Sequence, residues 1–477
     1  MIKKTSTEEG VNLSRQSTNP ISENIWLHLG ASAFFRAHQA YYLNQLKQKG
    51  NDNWHVSLAN IRNSSSQETL KKLQQQNGAY TLEIISPSGD FNYQTIECLD
   101  QILLWDHKLQ STVDVGANPN TKIISFTVTE GGYFLKEDNH LDLEHPAIQN
   151  DLLANGEIQT LYGVLYDILD LRMKQQSPPV TLLCCDNLRS NGDSFAKGLH
   201  DFVEAKGNTA LLTWIEQFTS SPNSMVDRIT PKVNEKSIAR VQAQQHISDA
   251  VPISCEHYTR WVLEKDFVSD RPDLAKVGVE FVDDVVPYEE AKIRLLNASH
   301  SGLAWFGALH EHIFIHETLA HSICNTLTHY AKYDVKTALE SHKIYINTDV
   351  ECKTILDRFS SPYVKDTVAR VASDSISKLR GFILPTIKDC LAQNKIPEHA
   401  LKLVASYFYF LKRYHQDQLP FEYLDSALND IPITQVFQDS DPVFAFATHI
   451  GLFGSLAEDK TFYTTLIETI HSFDLVE

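Results

Sequence analysis

Up to about residue 286 the chain alternates short apolar runs, rich in β-branched residues, with stretches of helical periodicity. This alternation limits the possible fold more than any other feature. Residues 25–29, 54–61, 122–129, 180–185 and 277–282 read as strands, and 37–50, 67–76, 151–174 and 194–206 as helices. Runs that are apolar on both faces and separated by helices predict a mostly parallel sheet covered on both sides, because parallel neighbours need a crossover between them. After Pro287 helical periodicity takes over, broken at Pro362, Pro385, Pro397, Pro420, Pro432 and Pro442. The reading is a loose polar arm over 1–23, an α/β domain over 24–286 and an all-α C-terminal domain over 287–477.

Composition narrows the function. A chain of 477 residues with 42% hydrophobic content can bury the cores of two domains. Its net charge of -18 would repel a phosphate backbone or an anionic bilayer, so neither nucleic acid nor membrane is expected as a partner. The N-terminus carries no apolar run behind its two lysines, and no later stretch reaches the ~18 apolar residues of a membrane span, so a soluble, cytoplasmic protein is expected. The seven cysteines are scattered without a CxxC pair, which suits reduced thiols rather than disulfides or structural zinc. His316 and His321 are five positions apart where a zinc-binding HExxH helix needs four, and no GxSxG elbow occurs. No metal site is therefore expected.

The first strand runs into His28-Leu29-Gly30-Ala31-Ser32-Ala33-Phe34-Phe35-Arg36, the strand-turn-helix context of a dinucleotide site. This marks the α/β domain as Rossmann-like, with Gly30, Ser32, Phe34 and Arg36 at the cofactor. Only Gly30 stands where the fingerprint has three glycines, so an ordinary turn fits the same residues. The second strand ends in Asn60-Ile61-Arg62-Asn63-Ser64, without the acid that usually meets the ribose 2′-hydroxyl. Arg62 and Ser64 could receive a 2′-phosphate, which leaves NAD and NADP both open.

Residues 289–300 concentrate the remaining chemistry. If they are α-helical, Glu289, Lys292, Asn297 and His300 share an arc of roughly 140°, while Ile293, Leu295 and Leu296 turn to the core. Oxidation of an alcohol needs a base for the hydroxyl proton and donors for the oxygen as charge develops on it. A desolvated lysine can be that base, with Asn297 donating, His300 orienting the substrate and Glu289 passing the proton outward. On spacing alone, the face is more often that of an amphipathic helix with a solvated Lys-Glu pair and a satisfied histidine.

The ordered motifs HLGxxxFxRAHQ (28–39), TVTEGGYF (127–134), CDNLRSNG (185–192), MVDRITP (225–231) and PYEEAKIRLLNASHS (287–301) decide between these readings. On them the chain resembles the polyol-specific long-chain dehydrogenase/reductase family, that of the mannitol dehydrogenases, from about residue 24 onward. The resemblance implies a metal-independent, NAD(P)-dependent oxidation of a secondary alcohol, at C4 or C2 of an acyclic polyol, to a ketose. D-arabinitol to D-xylulose is the first choice, mannitol to fructose the second and uronate reduction the third. It implies Lys292 as general base, Asn187 and Asn297 as the oxyanion-type pocket, His300 beside the substrate and Glu289 on the proton path. Asp227, Arg370 and Lys378 would bind polyol hydroxyls, and Thr129 and Glu130 would lie by the nicotinamide. A monomer or small homo-oligomer is expected.

Three departures from the family pattern fall at the cofactor end: Ser32 for a second glycine, Phe35 for a histidine, and no acid near Ser64. They motivate a rival reading, a sugar- or nucleotide-binding relative that kept the fold without catalysis.

Overall fold

The computed structural model describes residues 24–473 apart from 51–52, 63–64, 137, 154–155, 232, 234, 246–248, 321 and 430. The expected arm over 1–23 and the cofactor candidate Ser64 lie outside the described residues. Contacts divide the chain into one unit running to Ile85 and over Phe91–Val286, and a second formed by Ser86–Asp90 with Pro287–Glu477.

The strands of the first unit are, in chain order, β1 (Asn24–Leu29), β2 (Trp54–Ala59), β3 (Tyr80–Ile85), β4 (Phe91–Ile96), β5 (Leu99–Leu103) and β6 (Thr121–Phe126). They continue with β7 (Val180–Cys184), β8 (Thr219–Ser220), β9 (Ser224–Asp227), β10 (Ile253–Glu256), β11 (Arg260–Glu264) and β12 (Glu280–Val282). Six of them form one sheet in the order β5-β2-β1-β6-β7-β8, parallel at every pairing. Side-chain alternation explains why these segments are apolar throughout: Trp26, Val56, Leu58 and Ile123 enter one core, and Leu27, Leu29, Ile124 and Phe126 enter the core on the opposite face. From β1 the chain proceeds through β2 to β5 in one direction, and from β6 through β7 to β8 in the other. The carboxyl ends of β1 and β6 therefore flank a topological switch point, where open α/β sheets bind ligands.

Two expected elements differ. The helix over 151–174 is interrupted: one helix covers Pro146–Leu152 and the next Leu161–Lys174, capped by Thr160. The Asp151 carboxylate accepts the backbone N–H of Gln159 and Thr160 and the Thr160 hydroxyl, so the intervening chain folds back on it. Over 277–282 only β12 is a strand; Leu274–Val277 is a 3-10 turn ended by Gly278 at φ +94°. β12 also lies outside the main sheet, in a three-stranded sheet of order β12-β11-β9, and a further sheet has the order β10-β3-β4.

The second unit is helical, as the sequence predicts. Its central helix, Ala298–Leu309, is buried on all sides except at His300. Gly302 allows close packing on the helix Glu398–His415, since a Cβ there would lie 2.8 Å from Leu403 Cδ2, and the Trp305 ring packs 4.5 Å from that of Tyr407. Three π-helical turns, Ile293–Asn297, Tyr330–Val335 and Leu379–Ile383, interrupt the α-helical periodicity. No helix among the described residues is long and apolar enough to cross a membrane.

Asp334, in the second π turn, accepts the His399 and Ala400 N–H groups with one carboxylate oxygen (2.9 and 2.7 Å), and burial pushes its pKa up to about 7. The unfolded value is near 3.9, so the native state binds the extra proton between these limits and stability from this group falls as pH rises from about 4 to about 7. Asp334→Asn keeps an acceptor oxygen without the titration. Its urea midpoint should decline less over that range than that of the wild type.

Candidate active site

Residues after β1, β2 and β6 line a cleft of about 640 Å³, within the range of small-ligand sites. Gly30 makes the approach possible: it sits at φ +111°, and a Cβ there would lie 2.1 Å from the Thr127 carbonyl oxygen. Its N–H donates to the Ala59 carbonyl at 2.8 Å, and the next N–H, of Ala31, to Asn60 Oδ1 at 2.7 Å, which ties the turn to the end of β2. Asn60 Nδ2 and Arg36 Nε are buried without a hydrogen-bond partner among the described residues, and both residues line the cleft. A ligand that brings acceptor oxygens, such as a pyrophosphate, fits such orphaned donors.

Ser32 does not obstruct this turn. Its hydroxyl accepts the Phe35 N–H at 3.0 Å, capping the short helix Ala33–Ala37, and lies 2.9 Å from Thr127 Oγ1. Thr127 in turn meets His28 Nε2 at 3.1 Å, and His28 Nδ1 meets Ser125 Oγ at 2.7 Å. Complete burial pushes the His28 pKa down to about 3, so the ring is neutral, and Phe35 stacks on it at 3.6 Å. Phe35 thus serves the core. Phe34 stacks on His38 and is not among the cleft residues, whereas Arg36, Arg62 and Thr129 are. Ser32→Ala should cost ~1 kcal/mol and Ser32→Gly only a few tenths, read from urea midpoints.

Arg62 stands at the cleft edge, its Nε donating to the Gln159 carbonyl at 3.1 Å and its guanidinium 5.8 Å from the Phe134 ring. No Asp or Glu is among the residues lining the cleft. A second cleft of about 580 Å³ shares Arg62, Val128, Thr129, Gly132 and Gln159, and adds Trp105, Phe134, His145 and Glu157. Glu130 is exposed and lines neither.

Asp186, which the sequence reading passed over, anchors the Thr129 turn. It accepts the N–H groups of Val128 (2.8 Å) and Thr129 (3.2 Å) and the hydroxyl of Tyr133 (2.6 Å). Asn187 follows it and is exposed beyond the end of β7, while Asp227 is buried at the end of β9, paired with Arg260 across the strands.

In the second unit, the helix Val286–Lys292 ends at Lys292, where the π turn Ile293–Asn297 begins and hands over to Ala298–Leu309. A π turn holds about one residue more per turn, so positions 297 and 300 come round less far than α-helical spacing would carry them. The arc containing Glu289, Lys292, Asn297 and His300 tightens from roughly 140° to under about 100°. Between Ile293 and Leu309 only Asn297 and His300 are not buried, and Lys292 is half-buried beside them. The π turn is anchored from behind by buried Arg294, which donates to Glu290 at 2.6 Å and Asp389 at 2.5 Å.

Arg370 and Lys378 join the same neighbourhood by different means. Asp366, a second residue missed in the sequence, receives Arg370 Nε and Nη2 at 2.7 Å each and lies 3.1 Å from His300 Nε2, off the line of a hydrogen bond. Burial lowers the His300 pKa against the pull of Asp366, and its ring stacks on Phe359 at 4.6 Å. Despite its own burial, Asp366 is held well below the usual carboxylate range by His300 and Arg370. Lys378 Nζ donates to the carbonyls of Val371 (2.8 Å) and Ser373 (2.6 Å), at the end of the helix Val368–Ala372. Carboxylates beyond these have no periodic signal; only folding brings them to their partners. Among the described residues the one cluster with metal-ligand geometry, His200, Asp201 and Glu204, includes none of the candidate residues.

Two family profiles match the chain: a mannitol dehydrogenase Rossmann domain over residues 24–276 and a mannitol dehydrogenase C-terminal domain over 284–473. D-arabinitol 4-dehydrogenase of Klebsiella pneumoniae is 42% identical, covering 93% of this chain and 97% of its own length. A protein of the same name from Ralstonia nicotianae is 39% identical over 91% of this chain and 93% of its own. Among solved structures, Pseudomonas fluorescens mannitol 2-dehydrogenase, in a ternary complex with NAD and D-mannitol, superposes with a TM-score of 0.83 at 31% identity, covering 95% of this chain and 92% of that one.

Proposed function

Because this chain belongs to the mannitol dehydrogenase family by both of its domains, we propose that it oxidises D-arabinitol to D-xylulose, using NAD or NADP and a lysine base without a metal. The substrate rests on the 42% identity, nearly end to end, with the Klebsiella pneumoniae D-arabinitol 4-dehydrogenase. What carries the chemistry is that Lys292, Asn297 and His300 are only partly buried, while the rest of the segment 293–309 is buried.

The cofactor, when bound, accepts a hydride from the carbinol carbon. The protein manages the proton and the oxygen. Lys292 takes the hydroxyl proton, Asn187 and Asn297 donate to the oxygen as its charge grows, and buried Glu289 relays the proton outward. His300 lies beside the substrate with its ring fixed between Phe359 and Asp366. Asp227, Arg370 and Lys378 meet the remaining hydroxyls; two Arg370 nitrogens are taken by Asp366, so Nη1 is the one that reaches the polyol. Gly30, Ser32, Arg36, Asn60 and Thr129 hold the dinucleotide, with Glu130 at its nicotinamide end.

With no carboxylate lining the cleft and Arg62 at its edge, a 2′-phosphate is admitted. Arg62→Ala should weaken NADP at least ~10-fold more than NAD, the loss of one charge-assisted pair, read from the two KM values. The deciding test of the function is the purified protein with D-arabinitol and either cofactor, followed by reduced-nicotinamide absorbance and sugar analysis of the product. Absence of turnover with both cofactors across a polyol panel would overturn the reading. Turnover of D-mannitol well above D-arabinitol would favour the second reading, motivated by the fold shared with the Pseudomonas fluorescens enzyme: oxidation of mannitol at C2.

A further inference from the structure

Thr129 holds a backbone conformation that a β-branched residue rarely adopts, φ 66° and ψ 161°. This region is populated almost only by glycine, so something outside the residue must impose it. The three hydrogen bonds to Asp186 do so: the carboxylate fixes the N–H groups on both sides of the Val128 carbonyl and, through Tyr133, the far end of the 3-10 turn Glu130–Tyr133. Tyr133 is itself fully buried, its carbonyl accepting the Tyr162 hydroxyl at 3.0 Å. The anchor also joins two parts of the reaction site, since Asn187 is the next residue along the chain from Asp186.

We infer that Asp186 is a positioning residue, whose carboxylate forces Thr129 into the strained conformation that presents the β6 turn to the nicotinamide end of the cofactor. The inference rests on the function proposed above. It predicts that the anchor matters because Thr129 is not glycine. It also predicts a pH effect: burial pushes the Asp186 carboxyl up to about 6, with Tyr133, Cys185 and Glu130 as the titratable groups facing it. Each carboxylate oxygen accepts one of the two N–H groups, so protonation turns one of these acceptors into a donor and the anchor weakens as pH falls through that value.

The experiment titrates the full chain with NADH by fluorescence, alongside thermal unfolding. Asp186→Asn should weaken NADH roughly tenfold or more while the KM for polyol moves less than about twofold. In a Thr129→Gly background, where the conformation is unstrained, the same change should cost under about threefold. The wild-type Kd should rise as pH drops through about 6, and that of Asp186→Asn should not. If Asp186→Asn does not fold, Tyr133→Phe, which removes one of the three hydrogen bonds and no charge, should still weaken NADH by a few-fold. Wild-type affinity in these variants, or an equal loss in both backgrounds, overturns the inference. A wild-type protein that binds neither NADH nor NADPH overturns the functional reading as well.

Discussion

Lys292→Ala is expected to lower kcat for polyol oxidation by about 10³-fold, near 4 kcal/mol of barrier, while NADH affinity and the KM for polyol stay within a few-fold of wild type. The asymmetry follows from where Lys292 sits. It is the last residue before the π turn, half-buried, and Arg294 anchors that turn on Glu290 and Asp389. In the proposed mechanism, removing the amine leaves Asn297, Asn187 and the cleft in place, so binding persists and only proton removal is lost. Asn297→Ala should cost less, about 10²-fold, because it removes one of two donors to the oxygen. A Lys292→Ala enzyme with wild-type turnover in stopped-flow single-turnover experiments would rule out the lysine as base.

The strands that position the cofactor cleft were legible because their side chains must fill two cores at once. A run such as Trp26-Leu27-His28-Leu29 has no solvent face to obscure the pattern, even though His28 is polar and buried. The catalytic segment was legible only in composition. Its helical spacing is altered by the π turn, which has no sequence signature, so α-helical geometry put the four side chains on a wider arc than the fold does. Asp186 and Asp366 could not have been found from local pattern. Asp186 acts on residues 57 and 58 positions away, and Asp366 acts on His300 from the segment before the helix Val368–Ala372, so their roles exist only after folding. Ser32 is legible in sequence only as a departure from glycine; in three dimensions its hydroxyl caps Phe35 and meets Thr127 while the residue lines the cleft.

That contrast makes Gly30 the decisive glycine of the turn. Gly30→Ala should destabilise the N-terminal unit by roughly 2–5 kcal/mol, combining ~1–2 for a left-handed alanine with ~1–3 for overpacking. It should also abolish measurable cofactor binding. The added methyl meets the Thr127 carbonyl at 2.1 Å, and this oxygen belongs to backbone just beyond β6, which cannot rotate away as a side chain would. Relief therefore requires β1 and β6 to separate at their carboxyl ends. That movement would strain the hydrogen bond from the Thr127 N–H to the Leu29 carbonyl and the contacts linking Ser32, Thr127 and His28. The same movement displaces Ala31 from Asn60, a cleft-lining residue whose Nδ2 is buried without a hydrogen-bond partner among the described residues. Stability and binding should thus fall together in Gly30→Ala, whereas Lys292→Ala loses only chemistry. Calorimetry with and without NADH separates the two cases, and a Gly30→Ala protein that keeps both the wild-type transition and its shift on adding NADH would show that the switch point does not hold the dinucleotide.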